Sequence, residues 1–389
     1  MQIHTKFWDA NVQRRPRGRR VWVLLWVALV LVAAAGWQYR VWQKWPAITA
    51  QFGHAQSPVV PTNSVPPAHV VTNRLVVFTN QPTAKGATPT PGVLARTNAP
   101  PAPLSGFKQS MFEAQLALAR LGFSSGSLDG MAGPQTRAAL KAFQQREGLP
   151  PSGELTDSTR SQLPATMPLH VPYTVTTNDL ARLQPVSKTW LGKSQQTALD
   201  YETLLEMVAE KSWSHPAYIR RINPDIEWTN VTAGTVLQLP NIAPPAPKAK
   251  AVFLKIQLEA KMLQVFDANT NVIAHFPCSI AQRVEKRPAG ELHVAVTAAN
   301  PNYTFDPEVF PESAEARTMK QKIIIPPGPN NPVGVAWIGL DLPGYGIHGT
   351  PRPEDVGRTE SHGCFRLANW NAEYLLKLVS VGTPVVVEP

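Results

Sequence analysis

The chain has 389 residues, with 37 Lys and Arg against 27 Asp and Glu for a formal net charge of +10, and 39 Pro but only 2 Cys. That length accommodates two or three domains and a sizeable core. Two cysteines exclude a disulfide-rich scaffold and a zinc site built mainly from thiolates, and 43% hydrophobic residues exclude a wholly disordered chain.

The excess charge is concentrated at the N-terminus. Lys6, Arg14, Arg15, Arg17, Arg19, Arg20, Arg40 and Lys44 stand against Asp9 alone, so the first 45 residues carry +7. Residues 1–20 read as a basic cytoplasmic tail. Val21 to Trp37 holds no charged residue, and at 1.5 Å per residue it reaches about 25 Å, the short end of a membrane span. Preceding cations and Trp at both ends predict a transmembrane anchor with its N-terminus inside. Ala33-Ala34-Ala35 leaves a cleaved secretory signal as the alternative. Either way the remainder is exported, to the envelope on an inner-membrane anchor or secreted after cleavage. Only +3 remains for the rest of the chain, so no basic stripe points to a nucleic-acid partner. Residues 46–105, rich in Pro, Thr, Asn, Ala and Val, are predicted to be a disordered tether.

Residues 106–165 read as a small three-helix bundle. Ser110-x-x-Glu113 has a capping-box pattern, Phe112, Leu116 and Ala119 follow at helical spacing, and Gly122 suits the C-cap. Gly133-Pro134 opens a second helix with Leu140 and Phe143, and a third is expected between Leu155 and Leu163. The text LDGMAGPQTRAALKAFQ within this stretch resembles the peptidoglycan-binding domain of wall amidases.

Residues 172–240 open on Tyr173-Thr174-Val175, with helices expected at Tyr201 to Lys211 and Pro216 to Ile222. A strand from Gly234 to Pro240 closes the region. The order YTV…DL, INP and AGTVLQLP resembles a LysM glycan-binding module, departing from it by roughly 20 extra residues before the helices. Residues 241–250, NIAPPAPKAK, are a linker.

Residues 251–389 read mainly as strands. Val252, Leu254, Ile256 and Leu258 alternate, and further strands are expected at 263–266, 272–276, 292–297, 336–340, 346–348 and 384–387. One helix is predicted from Asn371 to Val379, and loops from Asn300 to Val335. Two short texts carry chemistry: Ile347-His348-Gly349-Thr350 and Ser361-His362-Gly363-Cys364-Phe365-Arg366-Leu367. An exported cysteine without a use risks oxidation. An imidazole that accepts the thiol proton makes it a nucleophile, and backbone N–H groups beside Gly363 suit an oxyanion. His362 stands on the same strand face as Cys364 and is a second base candidate. Arg366 binds a substrate carboxylate or pairs with a local acid. Tyr303 and Trp337 read as packing residues or substrate platforms. Cys278 alternates with apolar residues as core. His348, His362 and Cys364 lack a fourth ligand at zinc spacing, so no metal is expected.

IHGT followed by SHGCFRLAN resembles the L,D-transpeptidase (YkuD) catalytic domain, and KRPAGELHV, PPGPNNPVGVAWIGL and YGIHGT match as well. The resemblance implies Cys364 as nucleophile, His348 as base, Gly349 orienting the imidazole, and His362 and Gly363 lining the oxyanion hole. It implies that Ser361, Arg366, Asn369 and Thr350 shape the substrate site, and that no cofactor is used. Cys364 then attacks the third residue of a peptidoglycan tetrapeptide stem, releases D-Ala and forms a 3→3 cross-link. Water as acceptor makes the enzyme an L,D-carboxypeptidase, a lipoprotein makes it an anchoring transferase, and a relict site leaves a wall-binding scaffold. Partners are stem peptides and glycan, the membrane through the N-terminal helix, and a carbapenem as covalent inhibitor. The expected architecture is multidomain α+β: transmembrane helix, three-helix bundle, LysM-like α/β module and mainly-β catalytic domain.

Overall fold

The computed structural model describes residues 106–165, 167–247, 249–310, 313–359, 361 and 363–389. The basic tail, the apolar span and the tether lie outside the described residues, as does His362. No helix among the described residues is long and apolar enough to cross a membrane.

The first module contains α1 (Gly106–Arg120), α2 (Pro134–Arg146) and α3 (Asp157–Gln162). The first helix begins four residues before Ser110, so the Ser110–Glu113 pattern lies inside it rather than capping it. Gly133 precedes Pro134 at the helix start, where the missing proline N–H leaves no intrahelical bond unmade. Gln115, almost fully buried, ties α1 to the turn before α2: its amide donates to Asp129 Oδ1 and Thr136 Oγ1 and accepts from Gly130 N–H.

The middle module runs β1 (His170–Thr174), α4 (Thr177–Ala181), α5 (Trp190–Ser194), α6 (Leu204–Lys211), α7 (Pro216–Ile222) and β2 (Val236–Pro240). Its two strands pair antiparallel. Helix α6 starts at Leu204 rather than Tyr201 because Thr203 and Glu206 form a reciprocal capping box there. The extra residues before α6 contain the short helix α5.

The C-terminal domain contains β3 (Phe253–Gln257), β4 (Met262–Phe266), β5 (Val272–Pro277), β6 (Gly290–Ala299), β7 (Tyr303–Phe305), β8 (Ile323–Ile325), β9 (Ala336–Leu340), β10 (Gly346–His348), β11 (Phe365–Arg366), α8 (Asn369–Leu378) and β12 (Pro384–Glu388). Eight of these strands form one sheet in the order β11-β10-β9-β6-β12-β3-β4-β5. Helix α8 packs its Leu375 and Leu378 into the same core as Leu254, Ile256, Ile338 and Ile347. The segment from Asn300 to Val335 is not simply loop. It carries the antiparallel hairpin β7–β8, and Asn300 N–H donates to Val335 O at its base. Helix α8 begins at Asn369, two residues before the predicted start.

The cores do not follow the sequence modules. Phe112 and Leu116 of α1 pack with Leu204, Val208 and Tyr218 of the middle module. From the next face of the same helix, Leu118 packs with Phe123 and Phe143 of its own module and with Val272 of the C-terminal domain. Three and four residues separate neighbours on one helical face, so one helix serves two partners. Trp190 and Leu199 of the middle module share a fourth cluster with Phe305 and Ile325 of the hairpin. The edge strand β5 is covered by the first module: Ser124 N–H donates to His275 O and His275 N–H donates to Gly122 O. Phe123 lies opposite His275 in a parallel bridge.

Candidate active site

The site is built on β10 and β11. These strands pair in parallel, with Ile347 opposite Phe365 and His348 opposite Arg366. Side chains alternate across a sheet. Ile347 and Phe365 point into the core, so His348 and Arg366 take the opposite face. Cys364 lies in the bend directly before β11. Strand β9 adds Trp337, paired with His348, and the two rings stack with centroids 5.7 Å apart. Gly346 is required beneath that indole, because a Cβ there would sit 2.6 Å from a ring carbon.

His348 is only 6% exposed. Its Nδ1 lies 2.6 Å from Gly349 O. A neutral imidazole donates its Nδ1–H to that carbonyl and keeps the Nε2 lone pair free. Burial pulls the ring pKa down to about 4; the Gly349 carbonyl acts in the opposite direction and the Arg366 charge lowers it further. The imidazole is therefore unprotonated at neutral pH.

Cys364 is partly exposed, with Sγ 3.5 Å from Gly344 O. Burial pushes its thiol above the ordinary value, opposed by the backbone at Gly346. Its sulfur is within electrostatic reach of Tyr303, whose hydroxyl is pushed up to about 12, chiefly by burial. Cys278, by contrast, is fully buried in the core, and burial pushes its thiol up to about 12.

Ser361 donates its hydroxyl to Cys364 O at 2.5 Å. Its own backbone bonds Ile280 O and Gln282 N–H, which fixes the turn carrying the thiol. A Cβ on Gly363 would meet Tyr345 no closer than 3.7 Å. Packing against Tyr345 therefore does not demand glycine there. Arg366 donates to Thr359 Oγ1 at 3.1 Å and feels the charge of Asp355. It borders a cavity of about 290 Å³ that Thr350 and Arg352 also line.

Asn369, expected to shape the substrate site, is 1% exposed. Its Oδ1 accepts from Thr350 N–H at 3.0 Å and from Val335 N–H at 3.4 Å. Its Nδ2 donates to Glu210 of α6, at 3.1 and 3.0 Å from the two carboxyl oxygens. The amide thus supports the backbone behind His348 rather than facing a ligand. Thr350, 4% exposed, likewise turns its hydroxyl to Arg352 N–H. Among the described residues no cluster of three or more His, Cys, Asp or Glu is arranged to hold a metal. Glu210, Trp190 and His275 were not anticipated from sequence. Glu210 lies in LLEMVAEK, which reads as an ordinary amphipathic helix.

Residues 251–387 match the family model described as the L,D-transpeptidase catalytic domain, YkuD. Residues 251–387 belong to the YkuD family. Residues 108–163 match the model described as "Putative peptidoglycan binding domain". Among curated relatives, the chain is 38% identical over 105 residues to the Bacillus subtilis protein named "Putative L,D-transpeptidase YqjB", covering 26% of this chain and 51% of that one. It is 25% identical over 186 residues to "Putative L,D-transpeptidase YkuD" of Bacillus subtilis, covering 48% of this chain and 93% of the relative. The chain thus spans about half the length of the first relative. The second match is longer than the catalytic domain and reaches back into residues that precede it. A solved L,D-transpeptidase from Mycobacterium smegmatis is 18% identical, with a TM-score of 0.29 over 41% of this chain and 65% of that chain.

Proposed function

We propose that the chain is a cysteine-dependent L,D-transpeptidase that forms 3→3 peptidoglycan cross-links outside the cytoplasm. The observation that carries this reading is the position of Cys364 directly before β11, the strand paired in parallel with the one that bears His348, together with the engagement of His348 Nδ1 by Gly349 O. That arrangement leaves Nε2 as the atom that takes a proton.

The two pKa directions define how the proton moves. His348 is pulled down and Cys364 is pushed up, so a preformed thiolate–imidazolium pair is disfavoured. The thiol loses its proton to His348 Nε2 as sulfur bonds the carbonyl carbon of the third stem residue, which is general-base catalysis of attack. The carbonyl oxygen becomes an oxyanion beside the N–H groups of Gly363 and Cys364. Protonated His348 returns its proton to the D-Ala nitrogen, the C–N bond breaks, and a thioester remains. The side-chain amine of a second stem then attacks the thioester. His348 takes the amine proton, the C–S bond breaks, and the thiol is restored. Arg366 is placed to hold a substrate carboxylate from the cavity it shares with Thr350 and Arg352. The first module holds the wall polymer close to Cys364, and a carbapenem acylates the same sulfur.

Mass spectrometry after incubating the full-length chain with tetrapeptide stems tests this reading. Cross-linked dimers and free D-Ala are expected with the wild type and neither with Cys364→Ala. Trimmed tripeptides alone would assign hydrolysis instead, and full activity in Cys364→Ala would remove the thiol from the mechanism.

A further inference from the structure

We infer that Glu210, in the middle module, is a positioning residue for the His348 loop and acts through the side-chain amide of Asn369. The inference rests on the reading of His348 as the base for Cys364.

Asn369 has its amide orientation set from both ends. Thr350 and Val335 N–H groups point at Oδ1. Both Glu210 oxygens and Pro329 O receive Nδ2. Flipping the amide would place oxygen against oxygen on one side and two N–H donors against an NH₂ group on the other. Without Glu210, among the described residues only Pro329 O at 3.3 Å remains to hold Nδ2. The Oδ1 end lies against the chain that orients the base. A Cβ on Gly349 would overlap Asn369 Oδ1, and so would one on Gly334. Gly349 supplies the carbonyl bonded to His348 Nδ1, and Thr350 is the next residue. The path therefore runs Glu210, Asn369, the Gly349–Thr350 backbone, His348.

The middle module holds the same backbone at further points. Tyr201 hydroxyl donates to Glu210 Oε1 at 3.3 Å. Asn330 donates to Glu206 Oε1 at 2.6 Å and to Asp200 O. Leu199 N–H donates to Pro327 O, and Asn330 N–H donates to Leu199 O. The loop from Pro327 to Val335 and the start of α8 are thus both clamped by residues outside the catalytic domain. Glu210 is a costly choice for this seam, since burial pushes its carboxyl up to about 8. An apolar residue of the same length would avoid that cost but leave the Tyr201 hydroxyl and the Asn369 amide without their acceptor. Its hydrogen bonds to Asn369 are what the carboxyl supplies there.

The test uses the full-length chain with Glu210→Met, Glu210→Ala and Glu210→Gln. Readouts are the rate of Cys364 alkylation by iodoacetamide, followed by intact mass, kcat and KM on tetrapeptide stems, and the thermal midpoint. Glu210→Met is expected to lower the midpoint modestly, because two buried donors lose their acceptor, while alkylation and kcat fall at least fivefold and KM stays within twofold. Glu210→Gln, which keeps an acceptor for Asn369, is expected within twofold of wild type throughout. A merely structural carboxyl would instead lower the midpoint and leave alkylation and kcat within twofold of wild type. Alkylation and kcat within twofold of wild type in Glu210→Met overturn the inference, as does a Glu210→Gln variant as slow as Glu210→Met. Should Glu210→Met fail to fold, the contrast between Glu210→Ala and Glu210→Gln is read by the same criteria. A wild-type chain that is alkylated at Cys364 yet turns over no stem overturns the proposed function, and the alkylation rates still decide the role of Glu210.

Discussion

Acid is expected to destabilise this protein through its buried histidines, and His275 isolates the effect. His275 is fully buried on β5, and neither ring nitrogen has a hydrogen-bond partner among the described residues. Burial alone lowers its pKa from 6.5 to about 4. Between those values the unfolded chain takes up a proton that the folded chain refuses. The stability present above pH 6.5 is therefore lost as pH falls toward 4, and no more is lost below that. One pKa unit corresponds to about 1.4 kcal/mol, so the single site removes about 2 kcal/mol by pH 5 and about 3 kcal/mol by pH 4. His275→Leu keeps the volume close and the strand backbone intact. Urea unfolding of the full-length wild type and variant at pH 7, 6, 5 and 4 measures the difference, in which the carboxylates and His348 largely cancel. The variant is expected to match or exceed wild type at pH 7, since an imidazole N–H without a partner is removed at a gain of about 1–3 kcal/mol. Its advantage should widen by about 2 kcal/mol at pH 5. Parallel stability curves from pH 7 to 4 would refute the reasoning.

Other outcomes follow from the same geometry. Cys364 alkylation should climb with pH to a midpoint above the ordinary thiol value, with no inflection near pH 6.5, because His348 titrates at about 4; a step between pH 6 and 7 would contradict that. Gly349→Ala, whose Cβ overlaps Asn369 Oδ1, should cost about 1–3 kcal/mol of stability and slow Cys364 alkylation at least tenfold, read by urea unfolding and mass spectrometry. Trp190 stacks on Phe305 with centroids 4.1 Å apart, so Trp190→Ala should loosen the hairpin and speed its cleavage in limited proteolysis. Phe123→Ala empties a fully buried site and should cost about 3–5 kcal/mol, measured as a lower thermal midpoint.

Local chemistry was legible where local rules apply. The alternation of Leu254, Ile256 and Leu258, Gly133-Pro134 at a helix start, and the text around His348 and Cys364 all act over a few residues. The hairpin β7–β8 was not legible, because strands of three residues show too few alternations to register a period. Helix α8 was expected two residues late, since Ala368 at its N-cap carries no capping side chain. Pairings across modules were invisible for a different reason. Periodicity marks Phe112, Leu116 and Leu118 as apolar but says nothing about which partner each one meets. Glu210 carries the same limit: its charge predicts solvent, and only the tertiary fold brings Asn369 against it. The extra residues of the middle module looked like a departure from a pattern, and their Trp190 proves to be the plug of the hairpin cluster.

The bonds from Gly122 and Ser124 to the two sides of His275 set a different kind of constraint. A binding module on a slack leash gives its enzyme a searchable volume. One stitched to the sheet edge gives it a measuring stick. Under the proposed function, a wall polymer bound by the first module would be held at a fixed offset from Cys364, so that only stems at a matching phase along it would meet the thiol. The spacing of the resulting bridges would then be a dimension of the protein, written into three backbone residues at the β5 edge of the sheet.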